Sequence, residues 1–129
     1  MPYNSRMAKT DAFQSTFETL RALLKPYEKK NLVVVRDTPH AYFLASSTAK
    51  TRSGAAIWFG GVEVRKNYVT FHFVPVYARP ALADSLSPSL RKRMHGKGCF
   101  NFTEIDRAHV KELTALTKRG YAGFIKQFA

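Results

Sequence analysis

The chain has 129 residues, 45% of them hydrophobic, which suits one domain with its own core and no need of a disulfide staple. Twenty-one Lys and Arg stand against nine Asp and Glu, a net charge of +12, an excess that suits nucleic acid, an anionic membrane surface or an acidic ligand, and serves plain solubility as well. The single cysteine, Cys99, excludes an intrachain disulfide. No stretch is apolar enough to cross a bilayer and the first residues lack the apolar run of a signal peptide, so a cytoplasmic location without membrane insertion is expected.

Residues 1–9 read as a flexible N-terminal tail and 10–129 as a single domain. Thr10 or Asp11 suits the N-cap of a helix over 10–29, in which Phe13, Phe17, Leu20, Leu24 and Tyr27 recur at steps of three or four. Pro26 has no N–H to give and should kink or end that helix near Lys25. Residues 32–35 form a β-branched strand, 37–40 a turn, 42–45 a second strand and 46–53 an exposed polar loop.

Residues 58–73 predict a hairpin. Lys66-Asn67 forms its two-residue turn, where Asn tolerates the positive φ required. Arg65 then lies opposite Tyr68, Val64 opposite Val69, Glu63 opposite Thr70, Val62 opposite Phe71 and Gly61 opposite His72. Side chains alternate between faces. Val62, Val64, Val69, Phe71 and Phe73 fall on the core side, and Phe59, Glu63, Arg65, Tyr68, Thr70 and His72 on the other. Gly60-Gly61 inside a strand marks a bulge or a close backbone approach.

Residues 79–95 read as two short helices. Leu82 and Leu86 mark the first, and Ser87-Pro88 opens the second with Ser as cap and Pro in the first helical position. Leu90 and Met94 should point inward, leaving Arg91, Lys92 and Arg93 outward until Gly96 and Gly98 end the helix. Residues 99–102 form a fifth strand. Thr103 or Asp106 caps a final helix that buries Val110, Leu113, Leu116, Tyr121, Phe124 and Phe128 and exposes Arg107, Lys111 and Lys118. The expected fold is α+β: a two-layer sandwich of an about five-stranded, mainly antiparallel sheet with helices on one face.

Four segments together resemble a known family. They are Gly60-Gly61-Val62 with Lys66-Asn67-Tyr68-Val69, Pro75-Val76-Tyr77, the stretch 87–94, and Gly96-Lys97-Gly98-Cys99-Phe100-Asn101-Phe102. Over residues 10–127 the chain is similar to the YdhG-like family of small bacterial proteins, a domain of unknown function. The resemblance implies a frataxin-like fold in the order α-β4-α-α-β-α and no established activity. Some members carry an iron-chaperone label through that fold. Frataxin-type proteins hold iron on an acidic ridge, largely on the first helix. Here Asp11, Glu18 and Glu28 share that helix with Arg21, Lys25, Lys29 and Lys30, a poor surface for a hard cation.

Three places could carry chemistry. His72 opposite Gly61, with Glu63, Thr70, Tyr68 and Phe59, offers an imidazole, a carboxylate and a hydroxyl between aromatic walls; the plain alternative is a solvated sheet face. The run Arg91-Lys92-Arg93-Met94-His95-Gly96-Lys97 holds four cations in seven residues and no acid, a pattern that suits phosphate, with Arg65, Lys66 and Arg79 adding to it should the hairpin tip lie close. Its plain alternative is a solvated helix face. Third, Tyr42, Phe59, Tyr68 and His72 rimmed by Arg resemble in principle a sheet that stacks single-stranded bases, although no ribonucleoprotein-type motif is present. Cys99 reads as a small buried hydrophobe. No metal-ligand spacing, nucleophile elbow, P-loop or dinucleotide fingerprint occurs, so no catalytic residue, metal or cofactor is assigned and no enzyme is expected. The expected function is binding of an anionic ligand or nucleic acid through Arg65, Lys66, Arg91, Lys92, Arg93 and Lys97. A frataxin-like iron chaperone or small-ligand carrier is the alternative.

Overall fold

The apolar spacing near the N-terminus does build a helix, α1 (Ser5–Leu24), with Phe13, Phe17, Leu20 and Leu24 buried along one side. The computed structural model describes residues 5–28 and 31–128. Residues 1–4 of the expected tail, together with Lys29 and Lys30, lie outside them, as does the Phe128 side chain. The helix begins within the stretch expected as tail, because Arg6-Met7-Ala8-Lys9 are strong helix formers without Gly or Pro. Thr10 and Asp11 therefore sit inside α1 and do not cap it. Pro26 acts as expected: the α-helix stops at Leu24 and a 3-10 turn (Lys25–Tyr27) follows.

Six strands make one antiparallel sheet: β1 (Leu32–Thr38), β2 (Ala41–Lys50), β3 (Ala56–Val64), β4 (Val69–Phe73), β5 (Met94–His95) and β6 (Cys99–Phe102), in the spatial order β1-β2-β3-β4-β6-β5. Three elements differ from the sequence reading. Strand β2 runs on to Lys50, which pairs with Ala56, so most of the expected loop is strand and the chain turns later, at Gly54 with φ +86°. Helix α2 (Val74–Ala78), with Pro75 in its first turn, precedes a 3-10 helix (Pro80–Ser85).

The third difference concerns the basic run. Helix α3 (Pro88–Arg91) is a single turn, capped as expected by Ser87, whose hydroxyl accepts the Leu90 N–H at 3.1 Å. The chain then leaves the helix. Met94-His95 forms the added sixth strand and turns back through Gly96, φ +73°, into β6. Arg91, Lys92 and Arg93 do not share one helix face.

The hairpin pairs in the expected register, from Val64 opposite Val69 to Gly61 opposite His72, and the Arg65 N–H donates to the Tyr68 carbonyl at 2.8 Å. Strand β3 contains the bulge announced by its glycines. Leu44 of β2 faces Gly60 and the next residue, Ala45, faces Trp58, so Phe59 is the extra residue. This corrects the placement of Phe59: it is fully buried on the helix side, against Tyr27, Phe73, Tyr121 and Phe124.

The last helix, α4 (Arg107–Phe128), is capped by Asp106, which accepts the His109 N–H at 2.8 Å. Leu113, Leu116 and Phe124 are buried with the α1 stripe and with Tyr42, Leu44, Phe71, Phe73 and Phe100 of the sheet in one core. Helix α3 is tied to α4 by Glu112, which accepts from the Ser87 N–H and hydroxyl at 2.7 Å each, and by a 2.8 Å contact of the Ser89 hydroxyl with His109 Nε2. No helix among the described residues is long and apolar enough to cross a membrane.

Gly61 is where backbone and ring approach most closely: a Cβ there would fall inside the Phe43 ring. Gly61→Ala should therefore cost about 1–3 kcal/mol through overpacking, read as a lower urea midpoint at an unchanged slope. A variant as stable as the parent would show that Phe43 does not rest on Gly61.

Candidate functional site

Because the long helices bury one side of the sheet, period-two alternation sends the intervening residues to the other side. There Trp58 stands 38% exposed and meets Phe43 edge-on with ring centres 4.8 Å apart. The Arg36 guanidinium lies 5.6 Å over the Phe43 ring, and the His72 imidazole is 5.5 Å from it on another side. The Phe43 ring fills the space that the sequence reading left beside His72 above Gly61.

A chain of hydrogen bonds crosses this face from β3 to β6. Arg65 Nη1 donates to Glu63 Oε1 at 2.9 Å, His72 Nε2 is 3.0 Å from that same oxygen, and His72 Nδ1 is 3.2 Å from Cys99 Sγ. Burial alone would raise the Glu63 carboxyl. The hydrogen bonds and charges of His72 and Arg65 outweigh it and hold the group below its usual range. An ionised carboxylate has no proton to give, so Nε2 carries the proton. In the neutral ring Nδ1 is then the acceptor, and the Cys99 thiol donates to it. Burial pushes that thiol up; the Arg65 charge works against the rise and the Glu63 charge adds to it. The thiol is therefore held in its protonated form beside a base.

Thr70 does not join this chain. It is buried and donates to Asn101 Oδ1 at 2.8 Å. Tyr68 lies further along, where it lines a groove of about 290 Å³ with Asn67, Lys92, Arg93, His95 and Asn101. The hairpin tip and part of the basic run are thus neighbours. Other expected members are elsewhere. Arg91 turns to Asp84 at 3.8 Å, the Lys97 ammonium lies 5.9 Å over the Tyr77 ring, and Arg79 packs against Gly123 of α4. Lys66 is exposed in the hairpin turn. Tyr42, read as a platform aromatic, is fully buried beneath Arg21.

The face therefore holds Phe43 and Trp58 where the sequence suggested Tyr42 and Phe59. Phe43 was missed because only the β2–β3 register sets it opposite Gly61, and Trp58 was hidden by the bulge. Among the described residues no three His, Cys, Asp or Glu side chains converge to hold a metal. No family model, curated protein or solved structure matches the chain.

The depressed Glu63 carboxyl makes stability pH-dependent with a definite sign. Its contribution is present above the unfolded value near 4.5 and is lost as pH falls through the lower folded value. Chemical denaturation of parent and Glu63→Gln should show the parent's advantage at neutral pH narrowing below about pH 4.5. An advantage that does not change with pH would mean the carboxylate is not held by its neighbours.

Proposed function

We propose that the uncovered sheet face and the groove at its β5 corner bind a single-stranded nucleic acid. Bases would stack on Trp58 and Tyr68, and phosphates would lie against Arg36, Arg65, Lys92 and Arg93. The observation that carries this reading is the absence of a spare negative charge on the strands. Their two carboxylates are Asp37, bound by Arg21 of α1 at 3.2 Å, and Glu63, bound by Arg65 and His72. A basic surface with solvent-facing aromatics attracts a polyanion at long range and holds its bases at short range.

The role is binding rather than catalysis, in a cytoplasmic protein. For the fold we infer the frataxin-like arrangement that the YdhG-like resemblance implies. A leading helix, a four-strand antiparallel run and a closing helix support it, and the short added strand β5 departs from it. The metal-carrier alternative has less behind it, since Glu18 and Glu28 on and after α1 already meet Gln14 and Lys25 at 3.2 and 2.9 Å.

Fluorescence anisotropy with labelled single-stranded RNA and duplex DNA, at low and near-physiological salt, tests the reading. The single strand should bind more tightly. Its affinity should fall with salt at a slope of about −0.7 for each phosphate neutralised. Charge reversal at Arg65, Lys92 and Arg93 together should abolish binding at near-physiological salt. Equal binding by that variant would sink the proposal, as would parental binding that vanishes above low salt. The sole tryptophan, Trp58, gives a second readout. Its emission should quench on binding, and Trp58→Ala should weaken affinity by about 1–3 kcal/mol if a base stacks there.

A further inference from the structure

The His72–Cys99 contact at the end of the hydrogen-bonded chain has no part in binding a nucleic acid, and the order of the chain is that of a nucleophile, its base and a group that orients the base. We propose that Cys99 is a thiol–disulfide exchange site that takes up anionic low-molecular-weight disulfides as a mixed disulfide. Four observations lead there, independently of the nucleic-acid reading.

The first is proton placement. Glu63, fixed by Arg65, accepts from His72 Nε2 and so turns the bare Nδ1 toward the sulfur at 3.2 Å. A thiol that burial keeps protonated needs such a base to become a nucleophile. The second is access: Cys99 is partly exposed and stands on the sheet face that also presents Trp58, so a small reagent can reach it.

The third observation selects the reaction. The backbone around Cys99 is paired on both sides, to β4 through His72 and to β5 through His95. Acyl transfer needs N–H groups aimed at an oxyanion, and the Cys99 backbone itself is taken up in these ladders. Displacement at sulfur builds no oxyanion and needs only a nucleophile and a proton for the leaving group, both of which this pair supplies. The fourth is charge. Arg65 lies on the same face, and Arg93 and His95 line the neighbouring groove, which favours an anionic reagent over a neutral one.

The step balances within these groups. The Cys99 S–H proton passes to His72 Nδ1, and the sulfur lone pair attacks one sulfur of R–S–S–R. The Sγ–S bond forms as the S–S bond breaks. The departing thiolate takes the proton from His72 and leaves as R–SH. Cys99 is oxidised to the disulfide level and the reagent is reduced to a thiol. With no second cysteine in the chain, the adduct cannot be resolved internally and persists until an external thiol reverses it.

The test uses the intact protein and two probes, dianionic dithiobis(nitrobenzoate) and neutral dithiodipyridine, followed by absorbance, with Cys99→Ser as the blank. At neutral pH and low salt, His72→Ala should react roughly 10- to 100-fold more slowly than the parent with either probe. Added imidazole should restore much of the lost rate in His72→Ala while leaving the parent unchanged, which a merely structural histidine would not allow. His72→Gln, checked for folding by circular dichroism, guards against a collapsed alanine variant and should be equally slow. Raising the salt should slow the anionic probe more than the neutral one. Mass spectrometry after incubation with oxidised glutathione should find one adduct, on Cys99. Folded His72 variants that react as fast as the parent would overturn the proposal. So would imidazole that fails to rescue, or a Cys99 that takes up no glutathione.

Discussion

One inserted residue organises both faces of this sheet. Between Trp58 and Gly60 the partner strand advances by one position while β3 advances by two, and the extra residue, Phe59, goes inward. Without the bulge, strict alternation would carry Phe59 to the face of His72 and Trp58 to the helices. With it, Phe59 fills the space between α1 and α4, where four aromatic rings meet it, and Trp58 stays with the solvent. A side chain of that size buries enough apolar surface to outweigh one lost ladder contact. Gly61 then lets Phe43 settle flat against the strand beside His72, so the aromatic floor of the outer face depends on the same irregularity.

That floor gives the polar groups above it their chemistry. Glu63 is the only strand carboxylate on the outer side, and two donors converge on one of its oxygens. A partly buried carboxylate with two such donors stays ionised, and an ionised carboxylate dictates which nitrogen of His72 holds the proton. The direction of the whole chain, from Arg65 to Cys99, follows from that single charge state. The same pairing removes the one negative charge that would repel a phosphate from the face. The two proposed roles, polyanion binding and thiol exchange, thus draw on one local arrangement.

Helical spacing and turn chemistry were legible in the sequence wherever neighbours along the chain decide the outcome. The α1 stripe, the break at Pro26, the Ser87 cap, the Asp106 cap and the hairpin register all follow from contacts within a few residues. Departures arose where a distant strand competed. Residues 46–50 look like loop by composition, yet Ser46 pairs with Leu32 of β1 and Lys50 with Ala56 of β3, and they extend β2. The basic run has helical spacing, yet pairing of Met94-His95 with β6 pulls it out of the helix and spreads its cations in different directions. Tyr42 and Phe43 are adjacent and chemically alike, and which of them turns inward depends on the β2–β3 register.

By itself the sequence determined an antiparallel α+β domain, the pairing of His72 with Gly61, and a strongly basic character, because composition and short-range stereochemistry suffice for these. Only the tertiary structure decided that Cys99 meets His72 and that Tyr68 lines one groove with Arg93. Both bring β4 or its turn beside chain some twenty-five residues later, across sheet neighbours that nothing local specifies. The free energy of burying the opposite face against α1 and α4 sets that order of strands. The thiol and its base come together as a consequence of where the core lies.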